Sequence, residues 1–175
     1  MADIFISYWE GEGGIATALR YFVSQAIPSA SIFKADARSI RSGDSWLDII
    51  RRELKESHVV LAILSEESIK RPWINFEAGA AWIDKLLIPL CYGTLEKGRM
   101  PAPYNQLQAL QLRDERDDHR LIIDLHHHLR IATPPPELAY IPLQVVMNKE
   151  STYRKRLRMF NSQIREFESA DRQDA

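Results

Sequence analysis

The sequence predicts an α/β domain: a parallel β-sheet with helices on both faces. Two observations predict it. Short apolar runs alternate with stretches whose apolar residues recur at helical spacing, and the connections between them are short. One of those runs, residues 58–65 (HVVLAILS), is continuously apolar and β-branched, as a strand buried on both faces at the centre of a parallel sheet must be.

The elements follow in order. Residues 3–7 (DIFIS) read as a short buried strand, and 15–26 as a helix with Leu19, Phe22, Val23 and Ala26 facing the core. Pro28 closes that helix, and 31–34 form a second strand. Residues 35–43 are a polar loop carrying Asp36, Arg38 and Arg41. Ser45 opens the next helix, with Asp48 completing an S-x-x-D capping box ahead of Ile49, Ile50 and Leu54. The 58–65 strand comes next, then a helix from Pro72 to about Lys85 and a fourth strand at 87–91. Residues 93–104 hold two Gly and two Pro and are expected to be an exposed loop. A helix is expected over 117–130, a rigid break at Pro134–Pro136, and a last helix from about Ser151 with Leu157, Phe160, Ile164 and Phe167 on one face. The final residues, SADRQDA, are expected to fray.

Composition narrows the function. At 175 residues the chain suits one domain, and 45% hydrophobic with 27% charged residues is the balance of a soluble globular protein. Lys and Arg total 23 against 24 Asp and Glu, a net charge of -1 that lacks the basic excess of a nucleic-acid binder. The single cysteine, Cys91, excludes an intramolecular disulfide and a cysteine-based zinc site. No apolar run approaches the roughly 20 residues of a membrane span. The opening MADIFISYW lacks the basic start of a signal peptide, so a cytoplasmic protein is expected, with no nucleic-acid or membrane partner.

Open parallel sheets bind ligands beyond the carboxyl ends of their strands. Four features fall at or near that edge. In Arg71-Pro-Trp-Ile-Asn-Phe-Glu-Ala-Gly-Ala-Ala-Trp82, helical spacing puts Trp73, Phe76, Glu77 and Ala80 on one face. Glu77 then has two readings: a first-turn carboxylate held by the helix dipole or by Arg38 or Arg71, or a functional carboxylate in an apolar cleft. Gly79 and its neighbouring alanines would let a flat ligand approach closely. In Ser39-Ile-Arg-Ser-Gly-Asp-Ser-Trp46, a helix N-terminus beside an indole suits a ligand carrying phosphates and a base, or is an ordinary helix start. Gly11-Glu-Gly-Gly14 matches neither dinucleotide nor P-loop spacing, and Glu10 and Glu12 would repel a pyrophosphate, so a flexible turn is expected there. His126, His127 and His128 point about 100° apart on a helix and cannot chelate one ion together; helix surface is expected. The basic run Arg154-Lys-Arg-Leu-Arg158 reads as a solvated helix face.

Taken in order, four segments resemble a TIR (Toll/interleukin-1 receptor) domain. They are Asp3-Ile-Phe-Ile-Ser-Tyr8, Ile40-Arg-Ser-Gly-Asp-Ser-Trp46, Val59-Val-Leu-Ala-Ile-Leu-Ser65 and Trp73-x-x-x-Glu77. The last is the W-x-x-x-E pattern of the enzymatic members. The resemblance runs across about residues 1–112. It implies a flavodoxin-like fold with a five-stranded parallel sheet. With the helical pattern read above, the expected organisation is a TIR domain over 1–147 and a C-terminal amphipathic helix with a frayed tail over 148–175. The family divides between interaction adaptors and NAD-cleaving enzymes. In the enzymes, the glutamate at the position of Glu77 is catalytic. The implied substrate contacts are Ser7, Tyr8, Arg38, Asp44, Ser45, Trp46, Arg71 and Trp73, with no metal and no cofactor beyond NAD+ as substrate. Two positions depart from the pattern. Trp9 and Glu10 stand where many members carry basic residues, and Arg71 stands where many carry serine. Arg71 can itself supply a cation.

The resemblance also implies TIR–TIR homo-oligomers, with the loop before Gly43 close to a neighbour's glutamate. A separate sensor or effector protein is expected, as in a prokaryotic antiphage system of the Thoeris type. Two other functions fit parts of the pattern: a non-enzymatic TIR adaptor, and a nucleoside deoxyribosyltransferase-like enzyme, whose motif is similar to Phe76-Glu-Ala-Gly79. A phosphoacceptor receiver domain does not fit, because Ser65 rather than Asp ends the third strand.

Overall fold

The computed structural model describes residues 3–34, 45–72, 74–75, 78–79, 81, 85–132 and 143–148, the Trp46 side chain excepted. The loop at 35–43, the break at 134–136 and the last helix with its tail lie outside the described residues.

Five strands form one sheet: β1 (Ile4–Ser7), β2 (Ile32–Lys34), β3 (Val59–Leu64), β4 (Leu86–Cys91) and β5 (Leu110–Gln111). Their order is β2-β1-β3-β4-β5 and every pairing is parallel. Ile4 lies opposite both Ile32 and Val59, and Val59 lies opposite Leu86. The chain therefore leaves β1 toward β2, crosses back to β3 and continues outward. The connections reverse direction at β1/β3, and a crevice opens at such a reversal beyond the carboxyl ends of the strands.

Alternation along the strands divides the core into two layers. Ile4 and Ile6 pack with Leu19, Phe22 and Val23 of α1 (Gly13–Ala26) and with Leu121, Ile122 and Leu125 of α3 (Glu115–His128). Phe5, Val60, Ala62 and Leu64 pack on the other side with Ile50 and Leu54 of α2 (Trp46–Glu56) and with Ile74, Ala78 and Ala81. Phe5 stacks on Phe33 at 5.5 Å between centroids. Each such fully buried side chain contributes about 1.5–3 kcal/mol, which is why the continuously apolar β3 sits at the sheet's centre.

The helix starts carry the expected chemistry. Ser45, in extended conformation, caps α2 by accepting the Asp48 N–H at 3.4 Å. Asp114 caps α3, accepting the Arg116 and Asp117 N–H groups at 2.9 and 3.2 Å, so that helix begins two residues before the expected 117. At the other end of α2, the Lys85 ammonium donates to the carbonyls of Lys55 and Ser57, both at 2.6 Å.

Three expectations need correction. The 93–104 loop is not simply exposed: Leu95, Met100 and Tyr104 are buried against the β3–β4 layer. Gly11-Glu-Gly-Gly14 is not a free turn. Glu10–Glu12 is a turn of 3-10 helix, α1 starts at Gly13, and Glu12 is buried. His126 is not on the surface. Its place one helical turn beyond Ile122 puts it on the core stripe, 4% exposed, with Nδ1 2.8 Å from the Ala132 carbonyl. A helical turn at 143–148 also packs Leu143, Val146 and Met147 into the α1/α3 layer, an element that the pattern did not announce.

Candidate functional site

The switch point gathers the segments that follow β1 and β3. Ser7 ends β1 opposite Ala62 and is buried in the sheet. Tyr8 is half-buried, with the Lys34 ammonium from the end of β2 at 5.2 Å from its ring centroid. Trp9 packs against the opposite layer, the one that holds Phe5 and Ile74. The Arg71 guanidinium lies over the Trp9 ring at 4.7 Å. Arg71 is exposed, so one face of the switch point presents a cation held on an indole.

Glu12 is a buried acidic group at this edge. Its Oε2 accepts the Trp9 N–H at 3.3 Å, and its own N–H donates to the Trp9 carbonyl at 2.7 Å. The carboxyl is 4% exposed, and its Oε1 has no partner among the described residues. Burial pushes its pKa up, and the neighbouring Ser65 and Ser68 hydroxyls and the Trp9 N–H only partly oppose that. Ser65 and Ser68 themselves close the turn after β3. The Ser65 N–H donates to Ser68 Oγ at 2.7 Å, and the Ser68 N–H returns a bond to Ser65 Oγ at 3.1 Å.

From that turn the chain enters the 72–81 segment, in which Pro72, Ile74, Asn75, Ala78, Gly79 and Ala81 are helical. Asn75 anchors it: its N–H donates to the Arg71 carbonyl at 3.2 Å and its Nδ2 to the Ile69 carbonyl at 3.1 Å. Its Oδ1 accepts the Tyr104 hydroxyl at 2.8 Å. Burial pushes the Tyr104 phenol up to about 12, so it stays a donor throughout the neutral range. A Cβ added at Gly79 would meet nothing within 4 Å, so the chain's own packing does not require glycine there.

The expected site residues divide as follows. Ser7, Tyr8 and Arg71 come to the β1/β3 switch point. Ser45 is exposed at the start of α2, and Trp46 is that helix's first residue. Arg38, Asp44, Trp73 and Glu77 lie outside the described residues. Glu12, Asn75 and Tyr104 were missed because each acquires its partner from a segment distant in sequence. A faint signal existed for Ser65, since a serine directly after an apolar strand suits a turn in which its hydroxyl accepts following N–H groups. Cys91 is buried at the end of β4, and burial pushes its thiol up to about 11, which leaves it an unreactive core residue. Among the described residues, no three His, Cys, Asp or Glu side chains assemble as a metal site, and no helix is long and apolar enough to cross a membrane.

Chemically, this edge offers a cation, two aromatic faces and a set of hydroxyls beside the segment in whose sequence Glu77 lies. A family model of the TIR domain matches residues 4–124. No curated protein matches the chain in sequence. Among solved structures, the TIR domain of the Toll-related receptor TRR-2 from Hydra magnipapillata is similar with a TM-score of 0.60 and 17% identity, over 72% of this chain and 99% of that one. A metazoan TIR-STING receptor from C. gigas is similar with a TM-score of 0.56 and 22% identity, over 71% of this chain and 40% of the receptor. The same receptor in complex with 2',3'-cGAMP gives 0.55 and 21%, over 77% and 40%. At these identities the likeness is one of fold.

Proposed function

Because the chain belongs to the TIR domain family, we propose that it cleaves the nicotinamide–ribose bond of NAD+, with Glu77 as the catalytic carboxylate. The observation that carries this reading is the Trp73-x-x-x-Glu77 pattern in the segment that follows β3 at the β1/β3 switch point. The anchoring of that segment through Asn75 and the cation at Arg71 support it.

One carboxylate suffices for the chemistry. The C–N bond breaks with its electron pair going to the nicotinamide nitrogen, which was cationic and leaves neutral, so no general acid is needed. The charge that develops on the ribose is an oxocarbenium-like cation, which an ionised Glu77 stabilises electrostatically and by accepting bonds from ribose hydroxyls. Trp46, Trp73 or Tyr8 stacks on a ring, and Arg71 with Ser45 and Asp44 frames the polar part of the substrate. Water, losing a proton, captures the cation to give ADP-ribose; capture by the substrate's own adenine or a ribose hydroxyl gives a cyclic ADP-ribose isomer. Arg38, from the loop before α2, and Ser7 complete the proposed contacts. The protein acts in the cytoplasm as a TIR–TIR homo-oligomer, feeding a signal to a separate effector in an immune, antiphage setting.

Incubation with NAD+ followed by mass spectrometry of the products tests this. Nicotinamide release by the wild-type chain, lost in Glu77→Gln, is the expected result. Equal rates for the two would overturn it. No release at any protein concentration, with self-association retained, would favour an adaptor, and base exchange on a deoxynucleoside would favour a deoxyribosyltransferase.

A further inference from the structure

Three contacts converge on Trp9. Its ring folds back over Gly11, where an added Cβ would lie 2.7 Å from Cη2 and 2.8 Å from Cε3 of the indole; only glycine leaves room for the ring in that position. Its backbone is held on both sides by Glu12, which accepts the Trp9 N–H and donates to the Trp9 carbonyl. Glu12 is in turn packed beside Ser65 and Ser68 in the turn after β3. The remaining contact is the Arg71 guanidinium over the ring, and the Arg71 carbonyl accepts the Asn75 N–H at the start of the 72–81 segment.

We propose that Trp9 is a positioning residue: seated on Gly11 and covered by Arg71, its indole fixes the first turn of the Glu77-bearing segment relative to the end of β1. The physical argument is one of connectivity. Residues 9–12 belong to the β1–α1 connection and residues 71–75 to the β3 exit, and β1 and β3 are sheet neighbours. The sheet fixes where the two connections start, and the stack of indole and guanidinium ties them together beyond its edge. A planar guanidinium suits that stack better than an ammonium, which gives a physical role to Arg71 at a position where serine is common in the family. The kinetic part of this inference rests on the NAD+-cleaving reading; the structural part does not.

Hydrogen exchange read by mass spectrometry on the full chain tests the structural part. In Trp9→Ala and Gly11→Ala, the peptide spanning residues 69–81 should exchange at least tenfold faster than in the wild type, while residues 59–64 of β3 stay protected. Trp9→Phe, which keeps a ring face for Arg71, should restore most of that protection. Unchanged exchange over 69–81 in both variants would overturn the proposal. If Trp9→Ala and Gly11→Ala also lose protection in β3, Arg71→Met decides the matter. It removes the guanidinium and leaves the ring in place, so faster exchange confined to 69–81 supports the clamp and wild-type exchange refutes it. In kinetics, Trp9→Ala should lower kcat for nicotinamide release about tenfold, and KM should rise with it to the extent that Arg71, released from the indole, contacts substrate. A raised KM at unchanged kcat would make the indole a substrate contact instead. A wild-type chain that releases no nicotinamide would sink the enzymatic reading and leave the exchange result to judge the clamp.

Discussion

The Lys97 ammonium lies 2.6 Å from Oδ2 of Asp117, tying the loop after β4 to the first turn of α3. The same carboxylate oxygen accepts the Gln111 N–H of β5 at 2.7 Å. Its neighbour Asp118 is also buried; it accepts the Arg113 N–H, and its Oδ1 has no partner among the described residues. Two consecutive aspartates at one helix start therefore titrate in opposite directions.

Burial raises the Asp117 pKa, but the Lys97 and Gln111 bonds outweigh it, so the group titrates below its ordinary 3.8. A depressed carboxylate stabilises the fold above its unfolded pKa and loses that contribution as pH falls through the folded value. Asp117→Asn should cost about 2 kcal/mol in urea denaturation at pH 7. That difference should shrink below about pH 4. A constant difference from pH 7 to pH 3 would contradict the assignment.

For Asp118, burial first, and then the charges of Asp114, Asp117 and Glu115, push the pKa up to about 7. The sign is reversed: the favourable state is the protonated one, and stability is lost as pH rises from the unfolded value through about 7. Asp118→Asn should match the wild type near pH 4 and exceed it at pH 8, by on the order of 4 kcal/mol at most. Parallel stability–pH curves for the two proteins would count against a neutral Asp118.

Glu12 follows Asp118 in sign, because burial raises its pKa against the pull of Ser65, Ser68 and Trp9. Glutamine preserves the acceptor for the Trp9 N–H and adds donors toward the two serine hydroxyls. Thermal melts should show Glu12→Gln above the wild type at pH 8, with the gap closing toward pH 4. A variant less stable at pH 8 would mean that the ionised carboxylate has partners that offset its burial.

Ser45 tests the cap of α2 separately from any substrate role. Its bond to the Asp48 N–H is long, at 3.4 Å, so Ser45→Ala should lower stability by about 0.5–1 kcal/mol. Replacement by Asp, a stronger acceptor at a helix N-terminus, should recover the stability. A loss beyond 2 kcal/mol would show that Ser45 supports more than the cap.

The local pattern carried a good deal. Apolar runs located four strands to within a residue or two because burial on both faces demands continuous apolar sequence, and S-x-x-D located the start of α2. β5 is two residues long, too short for any period to appear, and only the resemblance anticipated a fifth strand. The Trp73-x-x-x-Glu77 pattern was legible as a motif. The neighbourhood of its segment was not: Glu12 reads as one acid in a glycine-rich turn until the β1/β3 pairing brings Ser65 and Ser68 beside it.

Sequence alone thus determined where β1 to β4 and α1 to α3 run, to within about two residues, and which family pattern the chain follows, since these depend on apolar runs, on a period of 3.6 residues and on short motifs. Tertiary structure decided that Glu12 and His126 are buried, that Tyr104 holds Asn75, and that Trp9 meets Arg71. Each of those facts joins residues that only the sheet order or helix packing makes neighbours, and no local pattern encodes which strand will lie beside which.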